Sequence, residues 1–339
     1  MTKRIASILV ILMLLSSMAA CGGPNSTASA VTEGSDAAGT VTRYELDVGA
    51  SNSTGAMFRW NASACDLINR YNENIVLSPM ATIGSSENAE LVNLGECAFG
   101  SASSFVSYLA YSGQGDWEGN PMENLRVVIS MYPDAWEGFV AADSGITSLS
   151  DMVGKRISFD AKGTSANVNL MLLEALGYDP EKDFNAFFTN ASDSAAAIME
   201  GTLDAYITVG GPAVTAFSSL STSSKGLAFI NFTEEEQKIL CDAFPMMNPS
   251  TVDASMWAGC DTFESVGSSA IILAHKDVPD EVVYAFVKTL QENHDEHAAA
   301  AGNAEFATAE FTTSLWGSEE AIPLHPGAKQ YYQELGLLN

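Results

Sequence analysis

The chain has 339 residues, with 42 aspartates and glutamates against 15 lysines and arginines, a formal net charge of −27. A surface this acidic repels nucleic-acid phosphates and anionic lipid headgroups, which excludes DNA and RNA as partners. Hydrophobic residues make up 47%, and a chain of this length and composition is expected to build two lobes rather than one core.

Lys3 and Arg4 precede an apolar run from Ile5 to Leu15, and small residues lead to Met18-Ala19-Ala20-Cys21. That is the layout of a secretory signal, and the run is too short to span a bilayer comfortably. A cysteine after small residues looks like a bacterial lipobox, with Met18 where Leu is usual. Residues 1–21 are therefore expected to be a lipoprotein signal, with Cys21 as the lipid-bearing residue and the protein extracytoplasmic, anchored to the cell membrane by its lipid. From 22 to 42 the chain is Gly, Ser, Thr, Ala, Asn and Asp with few large apolar residues, the composition of a flexible tether.

The folded part begins near Arg43. Tyr44 to Val48 alternates like a strand, and a helix follows with Met57, Trp60, Ala64, Leu67, Ile68 and Tyr71 on one face. A second strand at Ile75–Leu77 leads to a helix with Ser85 or Ser86 as its N-cap and Glu87 in its first turn. Gly95 closes that helix, and Ala98–Ala102 reads as a third strand. The order β–α–β–α–β predicts a parallel sheet covered by helices.

The pattern recurs. Ile157–Phe159 is a strand, Ala161–Ser165 a loop, and Val168, Met171, Leu172, Ala175 and Leu176 mark a helix ended by Gly177. Ala195–Glu200 is helical, Gly201 closes it as Gly95 closes its counterpart, and Asp204–Val209 is a strand. Pro245–Ala274 lacks helical period and reads as the return to the first lobe. Asp277–His297 predicts one long helix. The expected division is 43–135 with 245–339 as one lobe and 136–244 as the other.

Cys65, Cys97, Cys241 and Cys260 remain once Cys21 is set aside. An even number outside the cytoplasm permits two disulfides, and Cys65–Cys97 with Cys241–Cys260 is the natural pairing. Four buried free thiols account for them nearly as well. No histidine completes a metal site with them, and none is expected. His294 and His297, with Glu292 and Glu296, have the spacing of a solvated helix face. Gly163-Thr164-Ser165 is neither a nucleophile elbow nor a phosphate-binding loop, so neither catalysis nor a cofactor is expected.

Three loops share one design. At Gly49–Gly55, Gly84–Asn88 and Ala161–Ser165 a strand ends, hydroxyl and glycine residues follow, and a helix begins. Open N–H groups at a helix start carry partial positive charge and can hold an anion, although helix capping alone would explain the hydroxyls at any one loop. Ligands of open α/β sheets sit at the carboxyl ends of strands, where these loops lie. Of the aromatics near element ends, Trp60, Phe105, Tyr132, Trp136 and Trp257, the pair Tyr132 and Trp136 flanks Pro133 at the junction between lobes.

Taken in order, these loops resemble the TAXI family of extracytoplasmic solute-binding proteins, the capture subunits of a class of TRAP transporters. The likeness runs from Tyr44 to Leu338. It is carried by the first two loops, Leu125–Pro133, Ala142–Leu149 with Gly154-Lys155-Arg156, Asp204-Ala205-Tyr206 with Gly210-Gly211-Pro212, Val278–Tyr284 and Leu324–Lys329. It implies an α/β, two-lobed, periplasmic-binding-protein-like (type II) fold closing over a small solute, typically a carboxylate such as glutamate or 2-oxoglutarate, for hand-over to TRAP membrane subunits.

Mapped here, the ligand set is Ser51, Asn52, Ser53 and Thr54, then Ser86, Asn88 and Ser103, with Tyr132 at the junction. Gly163, Thr164 and Ser165 come from the lobe-two loop, and Gly210 and Gly211 let backbone approach. Arg59 and Lys162 depart from the family pattern and could each supply a cation for a carboxylate. Closure is expected about a hinge near Pro133–Gly138 and a second crossing near Cys241–Pro249.

Overall fold

The computed structural model describes residues 29–31, 42–53, 55–162, 165–210, 215–316 and 322–339. Cys21, Thr54, Gly163, Thr164 and Gly211 lie outside the described residues. Strand β1 (Ser29–Val31) falls within the expected tether and pairs antiparallel with Arg43–Glu45 of β2 (Arg43–Gly49). That edge of β2 is open because β4 covers only its last two residues.

The first lobe follows the predicted alternation. Leu46 and Val48 of β2 are buried while Glu45 and Asp47 are exposed. Helix α1 (Ala56–Tyr71) buries Trp60, Ala64, Leu67 and Ile68 at helical spacing, and its last residue, Tyr71, is exposed. After β3 (Ile75–Met80) comes α2 (Ser85–Leu94), ended by Gly95 in the left-handed region, then β4 (Phe99–Ser103) and α3 (Ser104–Ser112). Strands β3, β2 and β4 lie side by side in that order, all parallel.

Strand β5 (Leu125–Ala141) then runs 17 residues, from the first lobe into the second. There the chain forms β6 (Arg156–Ser158), α4 (Ala166–Ala175), β7 (Asn185–Phe187), α5 (Ala191–Glu200) and β8 (Ala205–Gly210). Strands β8, β6 and β7 are parallel, and β8 pairs antiparallel with Ala135–Val140 of β5. Gly201 ends α5 at φ 77° as Gly95 ends α2 at φ 72°, so the repeated helix–glycine–strand unit is present in both lobes. The short α6 (Ser218–Ser221), β9 (Leu227–Phe229), α7 (Glu234–Ala243) and β10 (Asn248–Asp253) complete this part.

Strand β11 (Thr262–His275) carries the chain back, pairing with β10 in its first half and with β4 and β5 beyond. The second crossing therefore lies in β11, where Gly267 faces Ala135 and Ser269 faces Pro133, and not at Cys241–Pro249. Residues expected in the first lobe from 245 onward follow suit. Met247 and Val266 join the core of α4, and Ala254, Trp257 and Phe263 join the core of α5. A return at 245 would leave those side chains without that cover.

The predicted helix 277–297 is two helices, α8 (Asp280–Glu292) and α9 (His294–Ala300), broken at Asn293. Helices α10 (Ala309–Trp316) and α11 (Pro326–Glu334) finish the first lobe. His297 faces the core, 1% exposed and 4.5 Å from the Trp60 ring, which corrects the solvated helix face expected for it. No helix among the described residues is long and apolar enough to cross a membrane.

Each lobe's sheet carries core on both faces. Ala270, Ile272 and Ala274 of β11 face α1 and α8, while Ile271 and Leu273 face α2 and α3. This alternation explains why the expected disulfides are not made. Cys65 sits in the core on one face of the first sheet and Cys97 in the core on the other; Cys241 and Cys260 are divided in the same way. All four are free thiols, and burial pushes both Cys65 and Cys97 up to about 12.

Gly327 is where α11 meets the start of α8. A Cβ there would lie 2.2 Å from the Asp280 carbonyl oxygen, a backbone atom that cannot swing aside. Gly327→Ala is expected to cost about 1–3 kcal/mol, read as a lower urea midpoint at unchanged slope.

Candidate functional site

The carboxyl ends of β2, β3, β4, β6 and β8 open on one cleft between the lobes, with a volume of about 320 Å³. The first lobe contributes Ser51, Ser85, Ser86 and Ser103, and the second Asp160, Ser165 and Gly210. Tyr132 and Asp134 reach it from β5, where that strand crosses between the lobes.

Both lobes bend into the cleft by the same device. Ser51 and Asp160 follow the first βα strand of their lobes, and among the described residues they are the non-glycine positions with positive φ, 74° and 69°. Such backbone persists only where neighbours hold it. Ser51 N–H donates to Thr82 Oγ1 at 3.0 Å, Thr82 Oγ1 donates to Asn88 Oδ1 at 2.7 Å, and Asn88 Nδ2 donates to the Ser101 carbonyl at 2.7 Å. A Cβ on Gly49 would come 2.5 Å from Asn88 Oδ1, so the glycine there makes room for this chain of bonds. Asp160 is held by Ala161 N–H at 2.8 Å and Ser165 Oγ at 2.9 Å.

Helices α2, α3 and α4 begin at the cleft, with Gly84, Ser103 and Ser165 in their capping positions. No side chain caps any of the three. The serines are thus not spent as caps. Ser85 Oγ accepts from Ser103 N–H at 3.0 Å, and Ser165 Oγ turns to Asp160. The first turns of α2 and α3 begin at the cleft without a capping side chain, and the start of a helix carries partial positive charge.

Of the residues expected from sequence, Ser51, Ser86, Ser103, Tyr132, Ser165 and Gly210 line the cleft. Asn52 and Ser53 are exposed and do not. Asn88 is fully buried and positions the Ser51 turn from behind. Arg59 is on the exposed side of α1, and Lys162 lies 5.0 Å over the Phe188 ring, so neither expected cation is in the lining. Of the aromatics, only Tyr132 lines the cleft. Trp136 is fully buried and donates to Asn169 Oδ1 at 2.9 Å, and Phe105 meets Phe244 at 5.0 Å.

Sequence reasoning missed the two acids of the lining, Asp134 and Asp160. Asp134 interrupts the apolar stretch Leu125–Ala141, and an acid inside a buried strand was the available signal. Burial alone pushes its carboxyl up to about 7. Glu137, three residues on and 4% exposed, is pushed up to about 8 by burial and then by the charge of Asp134. The Tyr132 hydroxyl is raised by burial and by Asp134, with Arg59 acting the other way. No group of three His, Cys, Asp or Glu able to hold a metal ion occurs among the described residues.

A two-lobed α/β frame on one 11-stranded sheet, with its cleft where the parallel strands of both halves end, is thus the class of the molecule. The chain belongs to the NMT1-like family, whose model matches residues 48–336. Solved structures similar to it include a periplasmic aliphatic sulphonate binding protein from Escherichia coli, 16% identical over 86% of this chain and 90% of that one, with a TM-score of 0.47. An alkanesulfonate-binding protein from Xanthomonas axonopodis pv. citri bound to MOPS is 15% identical over 86% and 90%, with a TM-score of 0.43. A Xanthomonas citri protein bound to ATP is 12% identical over 86% and 95%, with a TM-score of 0.47. At these scores the likeness fixes neither solute nor transporter.

Proposed function

We propose that the protein is an extracytoplasmic solute-binding subunit that captures a small organic molecule in the interlobe cleft and presents it to a membrane transporter. The observation that carries this reading is the convergence of polar groups from both lobes on one cavity of about 320 Å³, of a size for one small solute. A solute bonded to both walls favours the closed arrangement by the bonds it makes only there, so closure is a population shift about β5 and β11. No covalent step is involved.

The resemblance to the TAXI family assigns delivery to TRAP membrane subunits, with lipid at Cys21 keeping the protein at the membrane. Uptake that survives loss of those subunits but stops without an ATPase would move delivery to an ATP-driven importer. For a carboxylate such as glutamate or 2-oxoglutarate the cleft offers serine hydroxyls and the α2 N-terminus, without Arg59 or Lys162 in its lining.

Ser51→Ala, Ser86→Ala and Ser103→Ala combined test the placement. Loss of three hydrogen bonds worth about 1 kcal/mol each should weaken solute binding roughly a hundredfold, measured by titration calorimetry. The melting temperature of the empty protein should barely change, since none of these hydroxyls fills core. Unchanged affinity would refute the placement.

A further inference from the structure

We propose that the solute carries an apolar body behind a single acid head, and that Val106, Val168 and Ile83 receive that body. The inference rests on the solute-binding reading above and names the chemistry of that site. Helices α3 and α4 meet the cleft with the same pair of residues. Ser103 stands at the start of α3 with Val106 three residues on, and Ser165 stands at the start of α4 with Val168 three residues on. All four line the cleft. Residues so spaced are neighbours on one helix face, so each helix presents a hydroxyl at its start and a valine beside it, one turn in.

The valines mark the place where core reaches the cleft. Val168 is 7% exposed and belongs to the core around α4, and Val106 and Val209 are half-buried against that same core. This core runs from α3 of the first lobe to α4 and β8 of the second, so both lobes bring apolar surface to the lining. Ile83 adds to it from the loop before α2. It lines the cleft, is 88% exposed, and its N–H donates to Glu87 Oε2 at 2.6 Å. A backbone held in place with an isoleucine side chain left in water gives a solute apolar surface to cover.

A solute polar at both ends does not suit this lining. Its second polar group would lie against valine, where it finds neither water nor a donor. A second carboxylate would also meet Asp134 and Asp160 in the same lining. One acid at the uncapped starts of α2 and α3, with a hydrocarbon part against the valines, matches both kinds of surface. That points to a monocarboxylate with a hydrocarbon body, and away from dicarboxylates such as 2-oxoglutarate.

Titration calorimetry on the purified protein tests this with acetate, butyrate and hexanoate, and with succinate and adipate as dicarboxylates of matching length. Each pair of methylenes added should tighten binding about tenfold, and hexanoate should bind more tightly than adipate. Val106→Thr combined with Ile83→Ser should remove most of the gain from acetate to hexanoate, and the melting temperature of the empty variant reports whether it folds. Should it not fold, the two series on the unaltered protein decide alone. Affinity that does not rise with chain length, or adipate binding more tightly than hexanoate, overturns the apolar body and leaves solute capture standing. An undiminished gain in the folded variant overturns the assignment to these side chains. Binding by no member of either series overturns acid capture and this inference with it.

Discussion

Replacing Trp60 by alanine is expected to remove about 3–5 kcal/mol of folding free energy, the largest loss from any single truncation considered for this protein. Trp60 is fully buried in the first-lobe core, among Leu67, Ile68 and Phe99 on one side of the sheet. Its ring meets His297 edge-on at 4.5 Å, and His297 Nε2 lies 3.3 Å from the Trp60 carbonyl oxygen. Truncation opens a cavity between α1 and α9 that neither helix can close without dragging the sheet. The Trp60 indole N–H has no partner among the described residues. Trp60→Phe, which keeps most of the volume and deletes that donor, should therefore cost far less. Urea unfolding of both variants checks the pair, and equal losses would show that volume is not what Trp60 supplies.

The second large effect is on pH. Asp134 is held up to about 7 and Glu137 up to about 8, both chiefly by burial. In the unfolded chain both titrate near 4. Between those limits the folded protein binds more protons than the unfolded one, so stability falls as pH rises. Above pH 4 the loss begins, and it is complete only beyond 8. His297, lowered to about 4 by burial, works in the opposite sense up to about pH 6.5, because there the unfolded chain holds the extra proton. The clean window is therefore pH 6.5 to 8, where the empty protein should lose about 2 kcal/mol. Asp134→Asn with Glu137→Gln should flatten that slope. A slope that persists in the double variant would place its origin elsewhere.

Much of the architecture was legible because apolar periodicity reports burial directly. The β–α–β–α–β order of the first lobe, the face of α1, and the matching glycines 95 and 201 all follow from spacing that a helix or strand must obey. What escaped depended on contacts far apart in sequence. Strands β5 and β11 are each long enough to serve both lobes, and no local pattern says that a strand changes partners halfway along. Helix α7 carries a complete capping box, Thr233 with Glu236, so its omission was a missed signal and not a missing one. The cysteines misled because even number and spacing ignore which face of a sheet each residue meets.

The site divides in the same way. Hydroxyls in strand-to-helix loops can be picked out because the loop design is local, and Ser51, Ser86 and Ser165 line the cleft. Arg59 and Lys162 were chosen for charge, and charge alone does not say where a long side chain on a helix face or loop reaches: Lys162 lies over the Phe188 ring, outside the lining. Asp134 was missed because only the pairing of β5 decides which face of that strand meets the cleft. A charged residue within an apolar strand is the pattern to weigh more heavily.

The central claim is that a solute is held between the lobes at this cleft. The most direct measurement compares the melting temperature of the protein and of Ser86→Trp, with and without saturating solute. Ser86 is exposed at the start of α2 and lines the cleft, so a tryptophan there fills the cavity without entering the core. A ligand that binds only the folded protein raises the midpoint. The account predicts a rise for the unaltered protein and none for the variant, with the two empty proteins melting together. An equal rise in both would put the solute somewhere other than between the lobes.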